Sequence, residues 1–341
     1  MTGRVRLTTA IAVTGALLCA ASVQATAVTA PAAATTPPPA QQAIRVATYN
    51  VGKADLGTGK FTWANRRLAL VRAVAAAAPD VLLVQEASTQ LWGRTTHIDD
   101  VRRLMRSVGY QIASDDYTGC TPGCTRGAHV FFDPRDLRVT QMPNPEVAVG
   151  MTGLSVIAGR WNSAIQDRAV SWAFLTPVGS TRSTLYVSVH LPTPKTSVGE
   201  ALRVAVAQRL RPWAEGLIRS SGLTSAEIVI GGDFNSFDRR QPNGAQKVLR
   251  TQGLIDGYSA PKRVRAKFGT VNYTPKTRIY RGFPPRPWFY KSISPCRIDY
   301  VFSTVAPLRY EVFLKLRSDR AFMNSYRASD HNMVLVDLPL R

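Results

Sequence analysis

The sequence predicts an α/β fold. Three observations carry it. Apolar, β-branched runs recur along most of the chain, segments with helical apolar spacing separate several of them, and two runs lie close enough to form a hairpin.

Ile44–Val51 alternates as a strand, with Ile44, Val46 and Thr48 on the side that continues to Asn50. A helix follows from Thr62, a capping hydroxyl, with Trp63, Leu70, Val71, Val74 and Ala78 as its apolar stripe and Pro79-Asp80 as its stop. Val81–Val84 is a short, wholly apolar run, the pattern of a strand covered on both faces, and it ends in Gln85 and Glu86. Helical spacing returns over 97–108, before Gly109, and short strands are expected at 110–114, 128–132 and 137–142. Arg168–Leu175 and Thr184–His190 form the hairpin, joined around Gly179-Ser180. Ser197 with Glu200 matches a capping box for a helix through Leu217, which Pro212 is expected to kink or split. A strand from Glu227 leads to Asp233, a short helix is expected near 244–252, and strands are expected at 297–302, 308–316 and 333–338.

The folded domain is expected over 44–341. Ahead of it, residues 1–27 have the parts of a secretory signal: Arg4 and Arg6, an apolar run from Leu7 to about Val23, and Ala25-Thr26-Ala27 as a cleavage site. Residues 28–43, rich in Pro, Ala and Thr, suit a flexible leader. Thr8, Thr9, Thr14 and Gly15 interrupt the apolar run and weigh against a membrane anchor, and Leu18 before Cys19 weighs against lipidation. Export would place Cys120 and Cys124, around a Pro-Gly turn, where a local disulfide can form; zinc is the rival, without a second ligand pair at usable spacing. Cys296 is left over as a buried thiol.

Loss of the signal would remove Arg4 and Arg6 and no acid, lowering the formal charge from +21 to +19. Such an excess favours nucleic acid or anionic lipid surfaces, although solubility or cell-wall retention also accounts for it. It is concentrated between Ala260 and Lys291, where nine Lys and Arg residues alternate with seven aromatics and no acid occurs. This has the look of a long surface excursion.

Polar residues stand at the expected strand ends: Asn50, Glu86, His190, Asp233, Asn235, Asp299, Asp330 and His331. Gly231-Gly232-Asp233-Phe234-Asn235 is the most informative stretch. On an extended backbone Asp233 and Asn235 face the same side, giving one carboxylate and one amide in a common space. A phosphodiester hydrolase needs such a pair, one to orient or deprotonate water and one to hold a phosphoryl oxygen. The same residues are also common turn formers.

In sequence, T-x-N at 48–50, Q-E at 85–86, V-H-L at 189–191, G-D-F-N at 232–235, R-I-D-Y at 297–300 and S-D-H at 329–331 resemble the endonuclease/exonuclease/phosphatase superfamily. The resemblance implies a four-layer α/β sandwich, two mixed sheets face to face with helices outside. It also implies that Glu86 is the principal Mg²⁺ ligand, with Asn50 beside it holding metal or phosphate and Asp330 at metal-bound water; Mn²⁺ or Ca²⁺ are alternatives. Asp233 and Asn235 would serve water and phosphoryl oxygen, and Asp299 and His331 would form a carboxylate–histidine pair. His190 would be the second histidine of the nuclease branch. Its usual glutamate partner has no clear counterpart here, Glu146, Asp115 and Asp116 being candidates only.

The expected activity is metal-dependent phosphodiester hydrolysis, with a nuclease favoured on charge. Arg168, Arg281 and Trp288 are the expected substrate contacts. The alternatives are a sphingomyelinase-like enzyme at membranes, with Trp288, Phe289 and Tyr290 as an interfacial wedge, and a secreted binding protein on an inactive scaffold. A monomer is the default state.

Overall fold

In the computed structural model, seam-facing side chains from two seven-stranded sheets meet face to face. The structure describes residues 43–56, 62–113, 127–143, 150–157, 159–165, 168–193, 196–238, 243–271, 297–318 and 321–340. The first sheet runs Lys262–Val264, Arg309–Phe313, Met333–Pro339, Ala43–Asn50, Val81–Gln85, His129–Phe132 and Gln111–Ile112. The second runs Ile255–Asp256, Asp299–Ser303, Glu227–Asp233, Thr184–His190, Arg168–Pro177 and Leu137–Val139, with Thr152–Ile157 also paired to Arg168–Pro177. Both sheets are mixed, since Ala43–Asn50 is parallel to Val81–Gln85 and Thr184–His190 is parallel to Glu227–Asp233.

Three buried clusters correspond to the three interfaces of four layers. Ala47, Tyr49, Leu82 and Val84 of the first sheet pack against the helices Trp63–Ala77 and His97–Arg106. Val187, Val189, Ile228 and Ile230 of the second pack against Ser197–Ser220 and Ala245–Thr251. Between the sheets lie Val46, Leu83, Tyr186, Val229 and Val301. Strand alternation produces this division, because odd and even residues leave opposite faces. Gly231 lets the sheets approach closely at this seam: a Cβ there would lie 2.6 Å from Leu83 Cδ1 of the facing sheet.

Local chemistry departs from expectation at three helix positions. Thr62 is the N-cap residue of the first helix, but its hydroxyl accepts from the Asn65 side chain at 3.1 Å instead of from the helix backbone. Thr196, not Ser197, caps the long helix, accepting from the Gly199 amide at 3.1 Å. That helix continues through Pro212 as one element of 24 residues. Proline cannot donate to the carbonyl four residues back. Gln252 Nε2 supplies the missing donor to that Gln208 carbonyl at 2.9 Å.

The basic segment is not an excursion throughout. Lys262–Val264 is an edge strand, parallel to Arg309–Phe313, and Arg265 is paired with Glu311 at 2.9 Å. Its part from 272 onward, including Arg281 and Trp288, lies outside the described residues, as do Cys120, Cys124, Cys296, Glu146, Asp115 and Asp116. Among the described residues no helix is long and apolar enough to cross a membrane.

Candidate active site

At one end of the seam the apolar pattern gives way to polar residues. In the second sheet, His190, Asp233 and Asp299 are direct neighbours across three strands. The first sheet contributes Asn50, in register with Gln85, and then Glu86. His331 arrives on the loop that precedes Met333–Pro339. Strand register aligns His190, Asp233 and Asp299 within one sheet, and the packing of the two sheets brings Asn50 to Asp233, 183 positions away.

Asp233 is the hub of this cluster. Its Oδ2 accepts from Asn50 Nδ2 at 3.0 Å and lies 3.5 Å from His190 Nε2 and 3.8 Å from His331 Nε2. Asn50 Nδ2 also donates to Glu86 Oε1 at 3.2 Å, and Glu86 Oε2 accepts from the Lys53 amide at 2.9 Å. His331 Nδ1 meets Asp299 Oδ2 at 2.9 Å. Glu86 and His331 thus share neighbours and do not lie on opposite sides of the molecule. Ser329 Oγ donates to Asp330 Oδ1 at 3.2 Å and accepts from the His331 amide at 3.1 Å, which holds Asp330 beside the group. Arg168 opens its strand at the same end of the sheet, half-buried, and its charge acts on His190.

One position differs from the extended geometry expected. Asn235 has φ 49°, so it does not share a strand face with Asp233. Its backbone amide donates to Asp233 Oδ1 at 2.8 Å and its side-chain amide donates to the Leu191 carbonyl at 3.1 Å. The turn and the site are therefore one structure: Asp233 closes the turn with one oxygen and faces the cluster with the other. Asn50 presents its nitrogen to the two carboxylates, while its oxygen accepts from the Gly52 amide at 2.9 Å.

The two histidines are shifted in opposite directions. Burial disfavours the charged form of both. At His331 the carboxylates of Asp299 and Asp233 outweigh burial and hold the imidazole well above the usual histidine range. At His190 burial wins, aided by Arg168, His331 and Lys53, and its pKa is pushed down to about 4. His190 Nε2 is buried without a hydrogen-bond partner among the described residues. Asp233 is raised, first by burial, with His331 and His190 opposing.

Arg66 and Thr270 also shape the site, and sequence reasoning missed both. The buried Arg66 guanidinium donates to the carbonyls of Val51, Gly52, Lys53 and Ala328, the last at 2.7 Å, tying the loop after Asn50 to the loop before Asp330. It falls on the stripe of Trp63, Leu70, Ala73 and Ala77, so helical spacing alone marks it as inward. Thr270 Oγ1 accepts from the Ile298 amide at 3.0 Å and the Asp299 amide at 3.2 Å, and its carbonyl accepts from the Asn332 amide at 2.6 Å. It clips Asp299 to His331, and no local pattern announces it.

The donor set suits a hard divalent cation. Glu86, Asp233 and Asp330 offer carboxylate oxygens, the ligand type that Mg²⁺ and Ca²⁺ prefer. Among the described residues the one group with ligand atoms within 4.8 Å of one another is Asp233, Asp299 and His331, in which Asp299 and His331 are already engaged with each other; Glu86 and Asp330 stand outside it.

Comparison with known proteins agrees with this arrangement. A model described as the Endonuclease/Exonuclease/phosphatase family matches residues 47–331. No curated protein matches the chain. Among solved structures, a mannosyl-6-phosphatase of Bacteroides thetaiotaomicron is similar at TM-score 0.61 and 20% identity, covering 87% of this chain and 100% of that one. The human Nocturnin catalytic domain with bound sulfate anion is similar at 0.53 and 16%, covering 87% and 93%. Truncated TDP2 of Caenorhabditis elegans is similar at 0.55 and 16%, covering 87% and 98%. At these identities the likeness is one of fold.

Proposed function

Since the chain belongs to the Endonuclease/Exonuclease/phosphatase family, whose members hydrolyse phosphoester bonds, we propose that it is a metal-dependent phosphodiesterase acting on DNA or RNA. The observation that carries this is the continuous run of contacts Glu86–Asn50–Asp233–His331–Asp299, which sets a carboxylate group beside an imidazole.

Glu86 and Asp330 would hold Mg²⁺, or Mn²⁺ or Ca²⁺ in its place, with Asn50 orienting Glu86. When bound, the ion would polarise the phosphoryl oxygen and offset its charge. Asp233, made more basic by burial, orients the attacking water and takes its proton during in-line attack. His331, its Nδ1 on Asp299, directs Nε2 toward the phosphate and gives its own Nε2 proton to the leaving oxygen, while Asp233 keeps the proton of the water. Neutral His190 leaves Nε2 for a hydrogen bond to a phosphoryl oxygen, with Arg168 as a further phosphate contact. Asn235, engaged with Leu191, acts by holding the turn at Asp233.

Nucleic acid is favoured over lipid because the chain keeps a formal charge of +19 after loss of Arg4 and Arg6 from +21, and phosphate contacts through Lys and Arg dominate such binding. Arg281 and Trp288 remain proposed substrate contacts on that ground. The signal-like residues 1–27 support action outside the cell, which mass spectrometry of the exported chain would check; a monomer is the default state.

The test is a side-by-side assay of DNA, RNA, sphingomyelin and a phosphomonoester, with Mg²⁺ and with chelator. Cleavage of nucleic acid that is abolished by chelator and by His331→Ala is expected. Sphingomyelin hydrolysis with nucleic acid untouched would make this a lipid phosphodiesterase. Absence of turnover on all four would favour the binding-protein alternative.

A further inference from the structure

One layer below the cluster, the seam holds three polar residues where apolar ones would pack. Thr48, Gln85 and Ser188 each have no exposed surface. Their neighbours at the seam are Val46, Leu83, Tyr186 and Val229, all buried and apolar. A polar group in such surroundings is costly unless fully bonded, and these three are bonded to one another.

Gln85 Nε2 donates to the Leu83 carbonyl at 3.1 Å and to Ser188 Oγ at 3.0 Å. Its Oε1 accepts from Thr48 Oγ1 at 3.3 Å. Ser188 Oγ returns its own proton across the seam to the Val84 carbonyl at 2.8 Å. Two hydrogen bonds therefore run between the sheets in opposite directions through one pair of side chains. Gln85 precedes Glu86 and stands in register with Asn50; Ser188 lies two residues before His190 on the same strand face.

The site is split along this seam, with Asn50 and Glu86 on one sheet and His190, Asp233 and Asp299 on the other. Apolar contacts between sheets tolerate small sliding, whereas hydrogen bonds are directional and fix a distance. We infer that Gln85 is a positioning residue: bonded to Ser188, it sets the spacing between the Glu86 half of the site and the Asp233 half. An apolar side chain of similar size would fill the same space without that constraint.

The inference rests on the proposed hydrolase function, but ion binding tests it without turnover. Gln85→Met, Ser188→Ala and the double variant would be compared with the full chain on bis(p-nitrophenyl) phosphate, with Mn²⁺ binding followed by calorimetry. A misplacement on the order of 1 Å costs about 100-fold in rate. Each single variant is therefore expected to lower kcat by about 10- to 100-fold with KM nearly unchanged, and to weaken Mn²⁺ binding. The double variant should be no worse than the more impaired single one, because both remove the same bond. Wild-type kcat and Mn²⁺ affinity in both single variants, with only a lower Tm, would overturn it and leave Gln85 a stability device. Should Gln85→Met fail to fold, Ser188→Thr decides: retained function there with loss in Ser188→Ala supports the bond, and equal function in both overturns it. If the wild type hydrolyses no phosphoester, the functional proposal falls while the Mn²⁺ comparison still tests the spacing.

Discussion

The two ends of the seam between the sheets are built from the same strands and are equally buried, yet they differ in what burial requires. At one end Ile44, Leu175, Tyr186, Val229 and Leu338 fill space, and each contributes through area removed from water. At the other, Asn50, His190, Asp233 and Asp299 are buried to a similar degree but must find partners across the seam. Side chains at the apolar end can be exchanged for others of like volume. At the polar end each residue sets the protonation of its neighbours, as the opposite shifts of His190 and His331 show.

The sharpest way to break this comparison is Asp233→Asn. It keeps the shape and the contact with Asn50 while removing the base and the acceptor for the Asn235 amide, so turnover should fall by about 10³-fold at a cost of about 1–3 kcal/mol in stability. A loss of folding, seen by circular dichroism, would show that the polar end is structural after all. Leu175→Ala, fully buried at the apolar end, should do the reverse. It should cost about 3 kcal/mol in urea titration and leave kcat within twofold.

A third effect uses His129, buried in the first sheet with Nε2 bonded to the Ala87 carbonyl at 2.8 Å. Burial pushes it down from 6.5 to about 4. The unfolded chain therefore binds a proton in that window which the folded protein refuses. Its contribution is complete above about pH 6.5 and is lost as pH falls toward 4. Between pH 7.5 and 5 this should remove roughly 2 kcal/mol, and His129→Gln, which keeps a donor and cannot titrate there, should abolish that share of the loss. An unchanged pH dependence in the variant would exclude it. The smallest effect expected is that of Gly231→Ala, whose methyl meets the flexible end of Leu83. About 1 kcal/mol should be lost, and a rise in stability would mean that the sheets do not approach as closely here.

Much of this was legible in the residues. The alternation of Ile44, Val46 and Thr48 toward Asn50 placed that side chain at the seam, and the wholly apolar Val81–Val84 announced a strand covered on both faces. Errors arose where a local pattern had two solutions. Ser197 and Thr196 are both capping residues, and only the hydrogen bond to Gly199 selects between them. Pro212 ought to break a helix in isolation, but Gln252, forty residues on, replaces the donor it lacks. Asn235 follows a strand and invites an extended reading, yet the turn bond to Asp233 turns it away.

The sequence by itself determined which residues reach the strand ends, because side-chain alternation and strand termination are local properties of the backbone. Only the tertiary structure decided that Asp233 would be the hub, that Arg66 and Thr270 would hold the surrounding loops, and that the two histidines would be shifted in opposite directions. Those outcomes depend on distances between strands far apart in the chain and on shared burial, which no single stretch of residues encodes.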